Sequence, residues 1–225
     1  MAKNILAVIP AEKAKEESIE TYFNDGQILT YSKGETIING LDEPSGVYII
    51  KEGFVKAFTI AKEGQENLLL VHDTGEFIPL LWALDGSHTE GLHYVAMSDV
   101  TVLKTTKEKL RAAMSENMWL SQEILKQAVH IITIYSQRIS ALEIRTARGR
   151  IVAELLNLAE MFGKTTGKKV LIDAPITHQD IANSINMTRE TASRALGLLF
   201  EEGLLGQDDH LFTIIDLPKL QDELC

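Results

Sequence analysis

The 225-residue sequence has one cysteine, Cys225. A disulfide framework, a thiolate zinc site and a cysteine-ligated iron–sulfur cluster each need several cysteines, so this composition excludes all three. Long apolar runs are also missing, because the longest extends only from Phe77 to Leu84 and contains Pro79. A helix that crosses a bilayer needs about 20 apolar residues. We therefore expect no membrane partner.

Basic charge is scarce as well, since the formal net charge is −10. Binding that coats nucleic acid regardless of sequence is driven by neutralisation of phosphates, and an acidic chain is unsuited to it. A local DNA-reading site remains compatible with this charge. The first residues do not resemble an export signal, because the apolar run Ile5–Pro10 is short and charged residues follow it. We expect a cytoplasmic protein.

Short apolar and β-branched runs separated by glycine-containing turns fill the first half of the chain. This pattern is typical of an antiparallel sandwich or barrel. We predict an antiparallel all-β domain, here named the β-roll, within residues 1–106. Its predicted strands are Ile28–Tyr31, Thr36–Ile38, Val47–Ile50, Val55–Ile60, Asn67–Val71, Leu92–Met97 and Val100–Thr105.

Two apolar stripes at helical spacing follow within residues 107–145. The first has the alternating three- and four-residue spacing of a heptad seam and comprises Leu125, Ala128, Ile132, Tyr135, Ile139 and Leu142. The second comprises Leu120, Ile124, Ile131 and Ile134. One stripe can cover the β-roll, and the other then requires a partner, for which the same helix of a second copy is the natural choice. The alternative is a single helix with one broad buried face.

Residues 146–225 have the pattern of a winged helix-turn-helix. Thr177 and Asp180 form a capping box for one short helix, and Thr188 caps a second. Asn186 lies between them, where a tight turn needs a residue that tolerates the left-handed conformation. Two short strands after the second helix predict a wing. Upstream, we predict an amphipathic helix at Arg150–Phe162 and a flexible basic loop from Gly163 to Lys169.

The exposed face of the second helix carries groups that can read bases. Arg189, Glu190, Ser193 and Arg194 lie within its first two turns, which are the turns that a recognition helix places in the major groove. Arginine can donate to both acceptors of guanine, and glutamate can accept from the amino group of cytosine. The alternative is a solvent-exposed Glu190–Arg194 salt bridge of little energetic value.

Two stretches resemble the Crp/Fnr family of bacterial transcription regulators: R-G-R-I-V-A-E-L-L-N-L-A at 148–159, and I-T-H-Q-D-I-A followed by T-R-E-T-A-S-R at 176–194. The resemblance covers nearly the whole chain. It implies an α+β fold with an N-terminal antiparallel β-roll (a cyclic-nucleotide-binding-like jelly roll), a long dimerisation helix and a C-terminal winged helix-turn-helix. It also implies a homodimeric regulator, not an enzyme, that binds double-stranded DNA and, as an activator, contacts RNA polymerase.

The same resemblance assigns individual positions. Arg189, Glu190 and Arg194 match base-reading residues, and members with this pattern favour TGTGA-like half-sites in an inverted repeat. Ser193 resembles the residue found at this position in the oxygen-sensing branch of the family. The resemblance therefore implies that the half-site can be a mixture of TGTGA and TTGAT. The positions expected near DNA phosphates are Thr177, His178, Gln179, Thr188 and Thr191.

The resemblance also limits the effector. In the cyclic-AMP branch an Arg–Ser pair after the Gly-Glu-Phe-Ile turn clamps the phosphate, whereas this sequence has Glu90–Gly91 there. An acid in place of the arginine repels phosphate, so we expect no cyclic AMP. The oxygen-sensing branch needs a set of cysteines, so we expect no iron–sulfur cluster.

A small organic effector in an apolar pocket is the remaining prediction. Its candidate residues are Phe77, Ile78, Leu80, Leu81, Trp82, His93, Tyr94 and Tyr135. They can equally be plain β-roll core. A haem-based gas or redox sensor is an alternative, with His72, His88 or His93 as axial ligand. A cupin-like metal enzyme is a remote one, since the close His-x-His pairing of such sites is missing.

Overall fold

The computed structural model describes residues 19–23, 25–86, 91–141, 143–208 and 210–224. Their arrangement is α+β, with antiparallel sheets first, a long helix in the middle and a helix-turn-helix at the end. This order of elements agrees with the predicted fold class.

The first part is a roll of two four-stranded antiparallel sheets, with strand orders β1-β8-β3-β6 and β2-β7-β4-β5. All seven predicted strands are present, although the sequence did not indicate β6 or the short helix α1. A 3-10 turn at Ile19–Phe23 precedes the roll. Its elements are β1 Gln27–Tyr31, β2 Thr36–Ile38, β3 Val47–Glu52, β4 Val55–Ile60, β5 Glu66–His72, β6 Phe77–Ile78, α1 Leu80–Asp85, β7 His93–Ala96 and β8 Val100–Thr105.

The turn between β3 and β4 shows why glycine marks these corners. Gly53 has φ +91, and a Cβ atom there would lie 2.3 Å from the carbonyl oxygen of Asp99. Any other residue would combine a strained backbone with a clash against the main chain. The neighbouring strands can therefore approach closely only with glycine at this corner.

Two helices follow the roll, α2 at Lys107–Glu116 and α3 at Met118–Ala141. The 24 residues of α3 extend over about 36 Å. The second predicted stripe is the one that packs on the β-roll: Leu120, Ile124, Ile131 and Ile134 are all at least nine-tenths buried in its core. Within the described ranges, no helix is both long and apolar enough to span a membrane.

The last part is built from four helices and a four-stranded antiparallel sheet of order β11-β12-β10-β9. The predicted flexible loop from Gly163 to Lys169 is wrong, because β9 and β10 form a hairpin there and β10 also pairs with β12. The elements are α4 Ala147–Phe162, β9 Gly163–Thr166, β10 Lys169–Ile172, α5 His178–Ser184, α6 Arg189–Glu201, β11 Leu205–Asp208, β12 Leu211–Ile214 and α7 Leu217–Asp222.

The β-roll packs directly on the helix-turn-helix. Leu68, Val71 and Met97 of the roll belong to the same hydrophobic cluster as the helices of the last part. Polar contacts line this junction, since Glu66 accepts hydrogen bonds from Lys56 at 2.6 Å and from Asn183 of α5 at 3.4 Å. β5 and α5 are therefore in direct contact.

Candidate nucleic-acid interface and effector cavity

The helix-turn-helix has the local geometry that its sequence predicts. Thr177 and Asp180 form the reciprocal capping box at the start of α5. Asn186 adopts φ 50 in the turn, which is the left-handed conformation. The Thr188 side chain accepts from the Thr191 N–H at 3.3 Å and caps α6. Both helices therefore begin at side-chain caps, which satisfy main-chain N–H groups of their first turns.

One face of α6 is buried and the other is exposed. Its buried face packs into the core of this part of the chain through Ala192, Ala195, Leu196 and Leu199. Arg189, Glu190 and Arg194 are exposed on the first two turns. No ion pair joins Glu190 to Arg194, and within the described residues no hydrogen bond engages the charged groups of these three side chains. Two guanidinium groups and a carboxylate therefore face solvent.

His178 and Ser193, for which the sequence predicted separate DNA contacts, pair with each other. The Nδ1 atom of His178 lies 3.1 Å from the Ser193 hydroxyl. The imidazole ring stacks on Phe212, with centroids 5.6 Å apart. Burial, and then the positive charge of Arg189, lower the pKa of His178. The ring is thus held mainly neutral, and it orients the Ser193 hydroxyl at the edge of the reading face.

The remaining positions predicted near phosphates are all exposed. The hydroxyl groups of Thr188 and Thr191 lie 3.0 Å apart. Gln179 donates to Asn183 at 2.7 Å along α5. Thr177, Gln179, Thr188 and Thr191 therefore surround the amino-terminal ends of α5 and α6, where main-chain N–H groups favour anions.

Arg148 is a residue whose role the sequence analysis missed. Its guanidinium group binds both carboxylate oxygens of Glu202, one at 2.9 Å, and its Nε atom donates to Glu223 at 2.7 Å. These contacts raise the pKa of Arg148, which stays charged. The start of α4 is thereby joined to the end of α6 and to the segment after α7. The resemblance at 148–159 was the only sequence signal for this contact.

The heptad seam of α3 is largely uncovered in the single chain. Leu125 is 62% exposed, and Ile132 and Ile139 are each 66% exposed. Ala128 and Tyr135 are partly buried against the β-roll core. Leu142, the last predicted member, lies outside the described residues. A helix face with three large apolar side chains in solvent is unusual for a monomer.

A small apolar cavity lies between the β-roll, α1 and α3, with a volume of about 30 Å³. Five residues of the predicted pocket line it, namely Leu80, Leu81, Trp82, Tyr94 and Tyr135. Phe77, Ile78 and His93, also predicted, do not. Phe77 and Ile78 are fully buried in the core, and His93 stacks on Phe58 at 5.4 Å. The further lining residues are Ile38, Pro44, Leu70, His72, Pro79, Leu92 and Ile131.

His72 is the unexpected residue of the cavity, because the sequence had suggested it only as a haem ligand. It is 3% exposed, and its Nδ1 atom lies 2.6 Å from the carboxylate of Glu76. Its Nε2 atom is buried and meets no hydrogen-bond partner in the described part of the chain. The ring of Tyr94 lies 5.8 Å away, and burial raises the pKa of that phenol. One nitrogen of His72 is therefore left without a partner beside the cavity.

Metal ligands do not converge in the described part of the chain, where no group of three or more His, Cys, Asp or Glu residues could hold an ion. His88, Glu90 and Cys225, which the sequence analysis singled out, lie outside the described residues. Nothing described therefore builds the site that a cupin-like enzyme would need.

Two family models match consecutive parts of the chain. The cyclic nucleotide-binding domain matches residues 28–117, and the Crp-like helix-turn-helix domain matches residues 149–223. They coincide with the β-roll and with the helix-turn-helix described above. Together they extend over well more than half of the sequence.

Similar proteins are transcription regulators. The global nitrogen regulator of Nostoc sp. (strain PCC 7120 / SAG 25.82 / UTEX 2576) is 29% identical over 188 residues, which cover 83% of this chain and 84% of that protein. The CRP-like cAMP-activated global transcriptional regulator of Mycobacterium tuberculosis (strain ATCC 25618 / H37Rv) is 24% identical over 195 residues, 86% of each chain.

Solved structures share the fold. A mutant of CooA from Carboxydothermus hydrogenoformans superimposes with a TM-score of 0.77 at 21% identity, covering 94% of this chain and 93% of that one. FixK2 from Bradyrhizobium japonicum gives a TM-score of 0.72 at 20% identity, covering 88% and 96%. Because these two domain models together match residues 28–117 and 149–223 and the similar proteins are regulators, the chain belongs to the Crp/Fnr family of DNA-binding transcription regulators.

Proposed function

We propose that the protein is a homodimeric regulator that reads a TGTGA-like inverted repeat and is controlled by a small effector in the β-roll. The observation that carries the DNA-reading part is the exposure of Arg189, Glu190 and Arg194 on the first turns of α6. Their charged groups have no hydrogen-bond partner among the described residues, and they are available to base edges from a helix that Thr188 caps. Nearby, the phosphate contacts come from Thr177, His178, Gln179, Thr188 and Thr191.

The chemistry of these side chains sets the half-site. Arg189 and Arg194 each match the two acceptors of guanine, and Glu190 matches the amino group of cytosine. Ser193 adds a hydroxyl whose direction His178 fixes at 3.1 Å. This set supports TGTGA-like half-sites, with TTGAT as the variant that Ser193 would favour. A twofold dimer would place its two α6 helices one DNA turn apart, about 34 Å.

The homodimer forms through the seam of α3. Each fully buried leucine or isoleucine side chain contributes about 1.5–3 kcal/mol, and both copies offer Leu125, Ile132 and Ile139. We accordingly divide the chain into an effector domain (1–106), a dimerisation helix (107–145) and a DNA-binding domain (146–225).

The effector differs from cyclic AMP. A phosphate needs an arginine or a ring of backbone amides, and the described residues that line the cavity include no arginine or lysine. Haem would require a far larger displacement of the surrounding helices than a small organic effector, because the cavity has a volume of about 30 Å³ and drug-sized ligands occupy pockets of roughly 300–1,000 Å³. A cysteine-ligated iron–sulfur cluster has too few ligands, since the chain has one cysteine.

Control by the effector would act through α3. Its side chains Ile131 and Tyr135 line the cavity, and Tyr135 also belongs to the proposed dimer seam on the adjacent face of the helix. An effector that binds one arrangement of the two long helices more tightly shifts the population toward it, by no more than its differential affinity. Activation of transcription would also require contact with RNA polymerase.

The test is a DNA-binding titration with two duplexes of equal length. One carries two TGTGA half-sites centred one helical turn apart in inverted orientation, and the other carries the same bases scrambled. We expect the first to bind at least about a thousandfold more tightly at physiological salt. A further duplex with TTGAT half-sites measures the affinity for the variant half-site that Ser193 would favour. Equal affinity for repeat and scrambled DNA would contradict the proposed reading face.

A further inference from the structure

We infer that the cavity takes a neutral, largely apolar organic molecule with one O–H or N–H group, which donates its hydrogen bond to Nε2 of His72. This inference rests on the proposed function, because it treats the cavity as the effector site. It goes beyond that function by naming the chemical class of the effector and the atom that recognises it.

The tautomer of His72 follows from its neighbour. A carboxylate can only accept hydrogen bonds, so the hydrogen in the 2.6 Å contact with Glu76 is on Nδ1. The tautomer with its hydrogen on Nδ1 presents a lone pair at Nε2. Because Nε2 is buried and has no partner in the described part of the chain, that lone pair lacks a donor. A buried acceptor without a donor is costly, so a molecule that supplies one gains affinity.

The charge of the cavity wall favours a neutral molecule. Among the described lining residues the groups that can ionise are His72, Tyr94 and Tyr135. Burial raises the pKa of both tyrosines, which stay uncharged. An anion would find no lysine or arginine among the described lining residues and would lie near the Glu76 carboxylate behind the imidazole, which is unfavourable. The rest of the wall is apolar and suits a hydrocarbon body.

The position of His72 also explains how such a molecule would act on the dimer helix. The turn next to Glu76 is tied to Gln127 of α3, which accepts from the Phe77 N–H at 3.1 Å and donates to the Gly75 carbonyl at 2.9 Å. A volume of about 30 Å³ holds only one or two waters, so a larger molecule must displace α1 or α3. An occupant would therefore move α3 directly and through the Glu76 turn.

The first test is a binding titration of the full-length dimer with three matched probes. Cyclohexanol has the donor, cyclohexyl methyl ether lacks it, and cyclohexanecarboxylate is anionic. We expect cyclohexanol to bind about tenfold more tightly than the ether, and the carboxylate to bind most weakly. Equal binding of alcohol and ether, tighter binding of the carboxylate, or no binding of any probe up to about 10 mM would overturn the inference.

Two further measurements keep the result independent of any one variant. In His72→Phe the alcohol should lose its tenfold advantage and bind like the ether. If that variant does not fold, ¹⁵N NMR of histidine-labelled wild-type protein decides. The expected spectrum has Nδ1 of His72 protonated and Nε2 unprotonated, with an Nε2 shift on addition of cyclohexanol. A protonated Nε2 at neutral pH would overturn the inference.

DNA titrations of the same samples separate this inference from the proposed function. If the inverted repeat is bound selectively while the three probes fail as described, the effector class is wrong and the regulator stands. If the probes bind as expected but DNA is not read selectively, the DNA-reading face is wrong instead.

Discussion

Arg138 of α3 lies beside Glu154 of α4, with 3.7 Å between its Nη2 atom and the carboxylate oxygen Oε1. Its other terminal nitrogen donates to the main-chain carbonyl of Leu68 in β5. The Glu154 side chain is 7% exposed and the Arg138 side chain 20%. One guanidinium group therefore joins the long helix, the β-roll and the first helix of the DNA-binding part.

Replacing Arg138 by alanine should lower the free energy of unfolding by about 2–3 kcal/mol, because it leaves the buried Glu154 carboxylate without this cation and the Leu68 carbonyl without this donor. Urea denaturation at fixed protein concentration measures the loss. The matched control is Gln137→Ala. Gln137 precedes Arg138 in α3, and its replacement removes only an exposed hydrogen bond to Glu160. A loss no larger than that of the control would show that the junction does not depend on this arginine.

Replacing Arg194 by alanine should relax the choice of base at one position of the half-site. A good bidentate contact discriminates by about 1–3 kcal/mol, so roughly a tenfold to hundredfold preference at one base pair should disappear. Titrations with duplexes that carry each of the four base pairs at every position would locate it. The fold should be unaffected, since Arg194 is exposed. Lys33→Ala, an exposed charge change in the β1–β2 loop, should leave the preference unchanged.

Replacing Ile132 by glutamate should yield monomers. This side chain is 66% exposed in the single chain, so the monomer should still fold. In a twofold dimer the seam meets its own copy, and two glutamates would then be buried close together. Sedimentation should show the monomer, and affinity for the inverted repeat should fall by about a hundredfold or more as bivalency is lost.

The control for Ile132 is His130→Glu, which adds the same charge on the opposite, exposed face of α3. This variant should remain dimeric. If Ile132→Glu still forms dimers and binds DNA with wild-type affinity, the dimer interface lies outside the seam of α3.

Local signals in the sequence were sufficient for much of the fold. The capping box at Thr177 and Asp180 and the turn at Asn186 were predicted because each depends on residues within a few positions of one another. The buried stripe of α3 was predictable for the same reason, since helical spacing alone groups it. The base-reading, phosphate and dimer residues remain predictions, because no nucleic acid or second chain tests them.

Contacts between distant segments were the ones that the sequence did not reveal. The hairpin of β9 and β10 was predicted as a loop because its lysines and glycine indicate a turn, whereas its pairing with β12 joins Val170 to Ile214. The role of His72 depends on a turn that brings Glu76 to its Nδ1 atom while the fold buries Nε2. Neither fact follows from spacing, so His72 was absent from the predicted effector pocket.

The stability of the protein should depend on pH through His178. Burial, followed by the charge of Arg189, lowers the pKa of His178 below the ordinary value of 6.5. Between the lowered value and 6.5 the unfolded chain binds more protons than the folded one, so the free energy of unfolding rises with pH across this window. The contribution is complete above about pH 6.5 and is lost as the pH falls through that window.

His178→Gln keeps a partner for Ser193 but cannot titrate. Urea denaturation at about pH 5.5 and 7.5 should therefore show a smaller loss of stability on acidification for this variant than for the wild type. Equal losses would mean that His178 binds its proton as readily in the folded protein as in the unfolded chain.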